Sequence, residues 1–238
     1  MQVLSHIPAY ATKWRSMKMN IPRYSVLFVV LLATSTVGSL ADIVEAPKKP
    51  ELMDRDKEIQ LALSAAPIEL RAEAGVYVLE QKGFVKVRES RNGFNCLVER
   101  GFSKQGTLVI APVCYDAEGS QTNMQAGLRT GELLMQGITS QEIDKMIDDD
   151  YRTGKLQAPR KAGIAYMLSS EFATYDTETG KSVQLYPPHI MIYAPYLRNA
   201  EIGVSPQQVR SSSHIWVSHE GRPDAYIIVP CEGMMSSH

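Results

Sequence analysis

An apolar run near the N terminus decides the compartment in which most of this chain folds. The run extends from Val26 to Ala33, two basic residues, Lys18 and Arg23, precede it, and Ser39-Leu40-Ala41 follows it. A basic stretch, a short apolar core and small residues at the cleavage position are typical of a secretory signal peptide. The sequence therefore predicts that residues 1–41 direct export, so that the rest folds in the periplasm or outside the cell.

The predicted mature chain begins at Asp42. Translation from Met17 or Met19 would give the signal peptide an ordinary length. The apolar run is too short to span a bilayer as a helix, and no later apolar run is long enough. We therefore expect no membrane span in the mature chain.

The charge balance bears on the partners of this chain. The full sequence has 25 basic and 26 acidic residues, and residues 1–41 hold four of the basic residues and none of the acidic ones. The mature chain is therefore mildly acidic. Nucleic acid is not an expected partner, because phosphate binding needs basic residues clustered on one face.

The mature chain divides into a leader, one domain and a tail. Residues 42–53 contain Pro47, two lysines and Pro50, a composition typical of an exposed leader. The 197 residues that follow the cleavage position suit one hydrophobic core. We expect a single domain over residues 54–230 and a flexible tail over residues 231–238.

Three segments have the pattern of helices. Apolar residues at helical spacing predict a helix that ends before Pro67. Thr139-Ser140-Gln141-Glu142 is a capping box, in which the Thr hydroxyl and the Glu carboxylate each accept a hydrogen bond from a free backbone N–H. A further helix, broken by Gly127 and Gly131, is expected over residues 122–136.

Asn92-Gly93 predicts a β-hairpin over residues 84–99, because this pair accommodates the positive φ angles of a two-residue turn. The turn aligns the apolar side chains of both strands on one face. It also sets Lys86 opposite Glu99 on the other face, as a cross-strand ion pair.

Further strands are expected at residues 76–79, 108–113, 163–169, 189–194, 214–218 and 226–229. Strands, then helices, then strands, without regular alternation, are typical of an α+β fold. The predicted architecture is an antiparallel sheet that contains the hairpin and packs against a few helices.

Four segments carry a further similarity: Asn92 to Val98, Cys114 to Gly119, Gly163 to Ser169 and Pro188 to Tyr196. Together they resemble a group of uncharacterised exported bacterial proteins, over most of the mature chain. The resemblance implies a bacterial envelope location. It brings no activity, cofactor or site residue.

Three cysteines are present, and an oxidising compartment favours a bridge between two of them. Cys96 and Cys114 are the natural pair, because one lies in the predicted hairpin and the other ends the next predicted strand. Cys231 is then left over. We expect it to be a small apolar residue, with a free reactive thiol or an intermolecular bridge as alternatives. Sequence alone leaves the other two pairings open.

The predicted strand that begins at His189 is the first candidate for a ligand site. His189, Met191 and Tyr193 alternate, so they share one face of that strand. Prolines at both of its ends and neighbouring tyrosines can form a groove, since tyrosine offers apolar area and a hydroxyl group. Tyr166 and Arg160 join this ligand-binding set if the preceding predicted strand pairs with it.

Two other kinds of site use some of the same residues. A hydrolase would use His189 with Asp116 or Glu118 as the base. Copper, a soft metal, would be held by His189 and Met191, together with cysteine, methionine and histidine side chains of residues 231–238. No catalytic or cofactor motif of high specificity accompanies either set.

The leading interpretation is an exported, disulfide-bonded α+β protein that binds a small molecule or an envelope protein and catalyses no reaction. The hydrolase and the copper binder are its alternatives. We expect no resident cofactor.

Overall fold

The computed structural model describes residues 49–103, 107–175, 182–184, 186–209 and 214–231, which belong to one compact unit. The predicted signal peptide, most of the predicted leader and residues 232–238 of the predicted tail lie outside the described residues. Within the described part of the chain, no helix has the length and apolar character that crossing a membrane requires.

The described residues form five α-helices and one 3-10 helix. The α-helices are α1 (Arg55–Ser64), α2 (Ile68–Arg71), α3 (Ala117–Gln121), α4 (Asn123–Met135) and α5 (Ser140–Arg152), and the 3-10 helix is Asn199–Ile202. The helix before Pro67 is confirmed as α1. The capping box is confirmed at the start of α5, where Thr139 and Glu142 accept hydrogen bonds from each other's backbone N–H groups.

Helix α4 runs without a break through Gly127 and Gly131, so the predicted interruption is wrong. Both glycines lie where the helix touches the sheet. A Cβ atom at Gly127 would overlap the Glu99 carboxylate, and one at Gly131 would overlap the Phe84 ring. Glycine is needed here for close packing.

Ten strands form one sheet in the described residues. They are β1 (Gly75–Glu80), β2 (Gly83–Arg88), β3 (Asn95–Phe102), β4 (Leu108–Tyr115), β5 (Ile164–Met167), β6 (Ala173–Tyr175), β7 (Ser182–Gln184), β8 (His189–Tyr193), β9 (Trp216–Ser218) and β10 (Tyr226–Pro230). The main path is β2-β1-β3-β4-β5-β8-β10-β9, and β6 joins β4 to β7. β1 and β3 pair in parallel, whereas the other pairs are antiparallel. The α+β class is confirmed, with a mixed sheet.

The strands of the hairpin predicted over residues 84–99 exist, but they do not pair with each other. β2 pairs with β1 across the turn at Gln81-Lys82, and β1 lies between β2 and β3. Lys86 consequently lies opposite Tyr77, with its Nζ 5.5 Å from the centre of that ring. Lys86 therefore does not face Glu99 across a strand pair.

Asn92-Gly93 instead belongs to the connection between β2 and β3. The Asn92 side chain accepts a hydrogen bond from the Phe94 N–H at 3.0 Å and donates one to the Leu70 carbonyl at 2.9 Å. Gly93 has a φ of +85°. The pair therefore turns the chain, but the two strands that it joins are separated by β1.

The helices cover the two faces of the sheet unequally. On one face α1 packs against β1, β3 and β4. On the other face α4 packs against β2 and β3, and α5 packs against α4. The pocket described below lies on that second face and is lined by residues of β3, β4, β5, β8, β9 and β10.

The predicted disulfide between Cys96 and Cys114 is present. The two cysteines are directly paired positions of β3 and β4, and both are fully buried beneath α1. Cys231 is a free, buried thiol, and its backbone N–H donates to the Pro188 carbonyl at 2.9 Å. Pro50, near the end of the predicted leader, is also buried. Contacts of the domain thus reach slightly beyond residues 54–230 at both ends.

A buried ion pair joins α1 to the sheet. Arg100 Nη2 of β3 lies 3.1 Å from Glu58 Oε1 of α1, and both side chains are 1% exposed. Glu58 also accepts the Leu79 N–H at 3.2 Å, and Arg100 donates to the Val98 carbonyl at 2.6 Å. Burial raises the pKa of Glu58 and lowers that of Arg100, and the attraction between the two charges opposes both shifts.

Candidate functional site

A pocket of about 400 Å³ opens on the second face of the sheet. Because successive side chains of a strand point to opposite faces of the sheet, every second residue of a strand faces the pocket. The apolar end is formed by Met167, Phe172, Tyr186, His189, Met191, Trp216 and Ile228. Strand register explains this grouping, because Met167 pairs with His189, and Ile228 pairs with both Met191 and Trp216.

His189 lies within this apolar end and is 3% exposed. Its Nδ1 is 2.8 Å from the Pro187 carbonyl, which can only accept, so Nδ1 carries the proton and Nε2 is left as an acceptor. The ring packs edge-on against Tyr186, at 5.1 Å between centres. Burial lowers the pKa of His189. The pocket therefore holds a neutral imidazole.

We expect acid to destabilise the folded protein through His189. Its pKa in the fold lies below the ordinary value of 6.5, so the unfolded chain takes up a proton here before the folded chain does. The free energy of unfolding should therefore fall as the pH drops from above 6.5 toward the lower pKa of the fold. Urea unfolding across this range should show a shallower pH slope for His189→Gln than for the wild type. Equal slopes would show that another group causes the acid sensitivity.

The opposite end of the pocket is polar. The Tyr115 hydroxyl of β4 donates to Glu99 Oε1 of β3 at 2.8 Å and lies 3.5 Å from the Tyr226 hydroxyl of β10. The same carboxylate packs against Gly127 of α4. Burial raises the pKa of Glu99, although the hydrogen bond from Tyr115 opposes this shift.

His219 and Asp224 form a hydrogen-bonded pair at the rim. His219 Nδ1 is 2.9 Å from Asp224 Oδ2, and Arg222 Nε donates to Asp224 Oδ1 at 3.1 Å. Burial acts to raise the pKa of Asp224, but the contacts with His219 and Arg222 outweigh it and lower that pKa. His219 has a φ of +52°, a strained value for a residue other than glycine, and such positions concentrate at functional sites.

A smaller cavity of about 130 Å³ adjoins the polar end. It shares Glu99, Arg100, Tyr115, His219 and Tyr226 with the pocket, and side chains from α4 and α5 complete it. Asn123 of α4 lines this cavity and is 2% exposed. The two spaces together form one site with an apolar end and a polar end.

Some of the predicted ligand-binding residues lie in this site and others do not. His189 and Met191 line the pocket. Tyr193 shares their face of β8, but its hydroxyl lies 3.0 Å from Asp116 Oδ1 and 2.7 Å from the Ile164 carbonyl, within the core.

Tyr166 and Arg160 lie away from the pocket. β5 pairs with β8 as anticipated, but Tyr166 pairs with Ile190 on the opposite face of the sheet, where it packs against Phe94. Arg160 is exposed, and its guanidinium donates to Gln157 at 2.7 Å. Met167, the next residue of β5, pairs with His189 and faces the pocket, so Tyr166 faces the other side of the sheet and does not belong to the site.

Asp116 and Glu118, the predicted bases of a hydrolase, are absent from the residues that line the pocket. Asp116 caps α3 by accepting the Gly119 N–H at 2.8 Å, and its second oxygen accepts the Ile164 N–H at 2.9 Å. Glu118 accepts the Arg160 N–H at 2.7 Å. Both carboxylates hold backbone segments together, and neither is brought to His189 in the pocket.

The residues proposed for copper are only partly described. His189 and Met191 share the pocket wall with a second thioether, that of Met167. The methionines and the histidine of residues 232–238 lie outside the described residues. Within the described ranges, no group of three or more histidine, cysteine, aspartate or glutamate side chains is placed to hold a metal ion.

Sequence reasoning missed the polar end of the site. Glu99 was assigned to an ion pair with Lys86, and Tyr115, Trp216 and Tyr226 received no role. The one local signal was His219, which follows a predicted strand directly and precedes a segment rich in glycine and proline.

The chain matches no protein-family model, no curated protein and no solved structure.

Proposed function

We propose that this is an exported protein that binds a small organic molecule in the pocket on the second face of its sheet, without catalysing a reaction. The observation that carries the proposal is the lining of that pocket. Aromatic and thioether side chains form one end, and a few polar groups converge at the other. Sites for small molecules have this composition, since apolar walls provide affinity and the polar groups fix orientation.

Export is supported by two independent features. The N-terminal segment has the charge and apolar pattern of a signal peptide. The disulfide between Cys96 and Cys114 is the kind of bond that persists in oxidising compartments and is rare in the cytosol. A location in a bacterial envelope agrees with both, and with the resemblance to exported bacterial proteins.

Tryptophan fluorescence tests binding directly. The full chain has two tryptophans, so in a Trp14→Phe variant only Trp216, which lines the pocket, emits. We expect the neutral apolar fluorophore N-phenyl-1-naphthylamine to bind this variant and to accept energy from Trp216. Adding Phe172→Arg should weaken binding at least about tenfold, because the new charge must lose water inside the pocket.

The matched control is Ile68→Arg on α2, where the side chain is 72% exposed and outside the pocket lining. It should bind the fluorophore like the parent variant. Failure of the parent to bind, or equal binding by the Phe172→Arg variant, would overturn the proposal. The intact mass of the exported protein also shows whether residues 1–41 have been removed.

A further inference from the structure

We propose that the ligand is an organic cation, with an apolar, preferably aromatic, body in the pocket and an ammonium group against Glu99 at the polar end. This inference rests on the proposed function and names the class of ligand. Phenylalkyl ammonium ions are the simplest members of that class.

Glu99 has spare accepting capacity. Burial raises its pKa, and an ammonium group beside it would oppose that shift by favouring the carboxylate form. It accepts a hydrogen bond from the Tyr115 hydroxyl, and among the described residues it forms an ion pair with no lysine, arginine or histidine. A carboxylate has about four lone-pair positions. Gly127 gives the group the room that any side chain at that position would fill. The site therefore presents an acceptor that an ammonium group can use.

The basic groups nearby are already engaged. Arg100 lines both spaces, but its guanidinium forms the buried ion pair with Glu58 of α1, although its Nε has no hydrogen-bond partner among the described residues. Arg222 lies 2.7 Å from Asp148 and 3.1 Å from Asp224.

The remaining titratable groups leave the polar end negative. His219 at the rim is held by Asp224, and the Asp144 carboxylate of α5 adds to the lining of the smaller cavity. The Tyr115 and Tyr226 hydroxyls carry no charge, because burial raises the pKa of both. The lining of the two spaces thus contains three acidic side chains, Glu99, Asp144 and Asp224, and two guanidinium groups, those of Arg100 and Arg222, which favours a positively charged ligand.

Asn123 supplies an independent sign of a ligand. Its amide interacts with the Tyr226 hydroxyl and acts to lower the pKa of that tyrosine, yet among the described residues the geometry falls short of a full hydrogen bond for either amide atom. Buried amides are nearly always paired, and an unpaired one needs an explanation. Asn123 and Glu99 line the same small cavity, so the Asn123 amide oxygen can accept a second N–H from the same ammonium group.

Aromatic rings complete the match to a cation. Tyr115, Tyr226 and Trp216 line the site, and the electron-rich face of such rings attracts an ammonium group. The neutral His189 places an acceptor nitrogen at the apolar end, and among the described residues of the lining Arg100 and His219 are already paired with carboxylates. An anionic ligand of the same shape is therefore disfavoured.

Three probes of matched size separate charge from shape: phenethylammonium, neutral 2-phenylethanol and anionic phenylacetate. Their affinities are measured by Trp216 fluorescence in the full chain carrying Trp14→Phe, with and without Glu99→Gln. We expect phenethylammonium to bind most tightly, and Glu99→Gln to weaken it about 30-fold or more. The same substitution should change the affinity for 2-phenylethanol by no more than about twofold. Glutamine keeps the shape of glutamate, and its amide oxygen can still accept the hydrogen bond from the Tyr115 hydroxyl.

The exposed Glu80, which lies outside the site, gives the matched control: Glu80→Gln should change no affinity. Near-ultraviolet circular dichroism checks that each variant is folded. Equal binding of the amine and the alcohol, or an unchanged amine affinity in Glu99→Gln, would overturn the inference and leave the binding function standing. If neither these probes nor the naphthylamine fluorophore binds, the proposed function fails as well.

Discussion

Replacing Arg100 by methionine should lower the free energy of unfolding by about 3–5 kcal/mol, because the substitution leaves the Glu58 carboxylate buried without a partner. Both side chains of the pair are 1% exposed, so water cannot compensate the remaining charge. Urea unfolding with the disulfide intact measures the loss. Without Arg100 the pKa of Glu58 should rise further, because burial raises it and the attraction to Arg100 is lost, so the loss of stability should shrink as the pH falls.

Two comparisons make this result specific. The double variant Glu58→Met with Arg100→Met should recover most of the lost stability, since apolar side chains of similar volume replace both charges. Arg152 forms an ion pair with Asp149 at the surface, and its side chain is 71% exposed. Arg152→Met should therefore lower the free energy of unfolding by no more than about 1 kcal/mol. If the Arg100 variant alone were as stable as the wild type, the pair would not be buried as described.

Loss of the disulfide should cost about 3 kcal/mol. The bridge joins residues of β3 and β4 that are 18 positions apart in the sequence. A cross-link over this distance lowers the conformational entropy of the unfolded chain, which stabilises the folded protein by roughly 3 kcal/mol. The Cys96→Ala, Cys114→Ala double variant should therefore unfold at a lower urea concentration than the wild type. Both positions are fully buried, so alanine avoids placing a new polar group in the core.

Reductant gives the control for the bridge. It should destabilise the wild type but leave the double variant unchanged, because that variant has no bridge to reduce. Cys231→Ala should respond to reductant like the wild type, since Cys231 is a free thiol. If Cys231→Ala abolished the response to reductant, the bridge would belong to a pair that includes Cys231.

The hairpin shows which part of the sheet could be predicted from the sequence. Eight of the ten described strands were predicted near their true positions, β6 and β7 were not predicted, and Asn92-Gly93 does turn the chain. Pairing was wrong because the alternation of apolar residues sets which side chains share a face but not which strand lies beside which. β1 enters between β2 and β3, and no local pattern records that insertion.

The candidate site shows the same limit over longer distances. His189 and Met191 could be predicted, because a single strand presents both. Glu99, Tyr115, Tyr226 and the other residues of the polar end come from separate strands. They meet only because β10 and β9 close the sheet beside β8, a topology that the local sequence does not specify.

The ends of the strand path affect how this molecule behaves at high concentration. A sheet edge carries unpaired N–H and C=O groups that another molecule can extend into an aggregate. The path ends at β2, which carries Lys86 and Arg88, and at β9, which is three residues long. Charged side chains and a short edge both discourage the addition of a further strand. The protein can thus keep very apolar segments such as Tyr226–Pro230 in the interior of its sheet without recruiting other copies into fibrils.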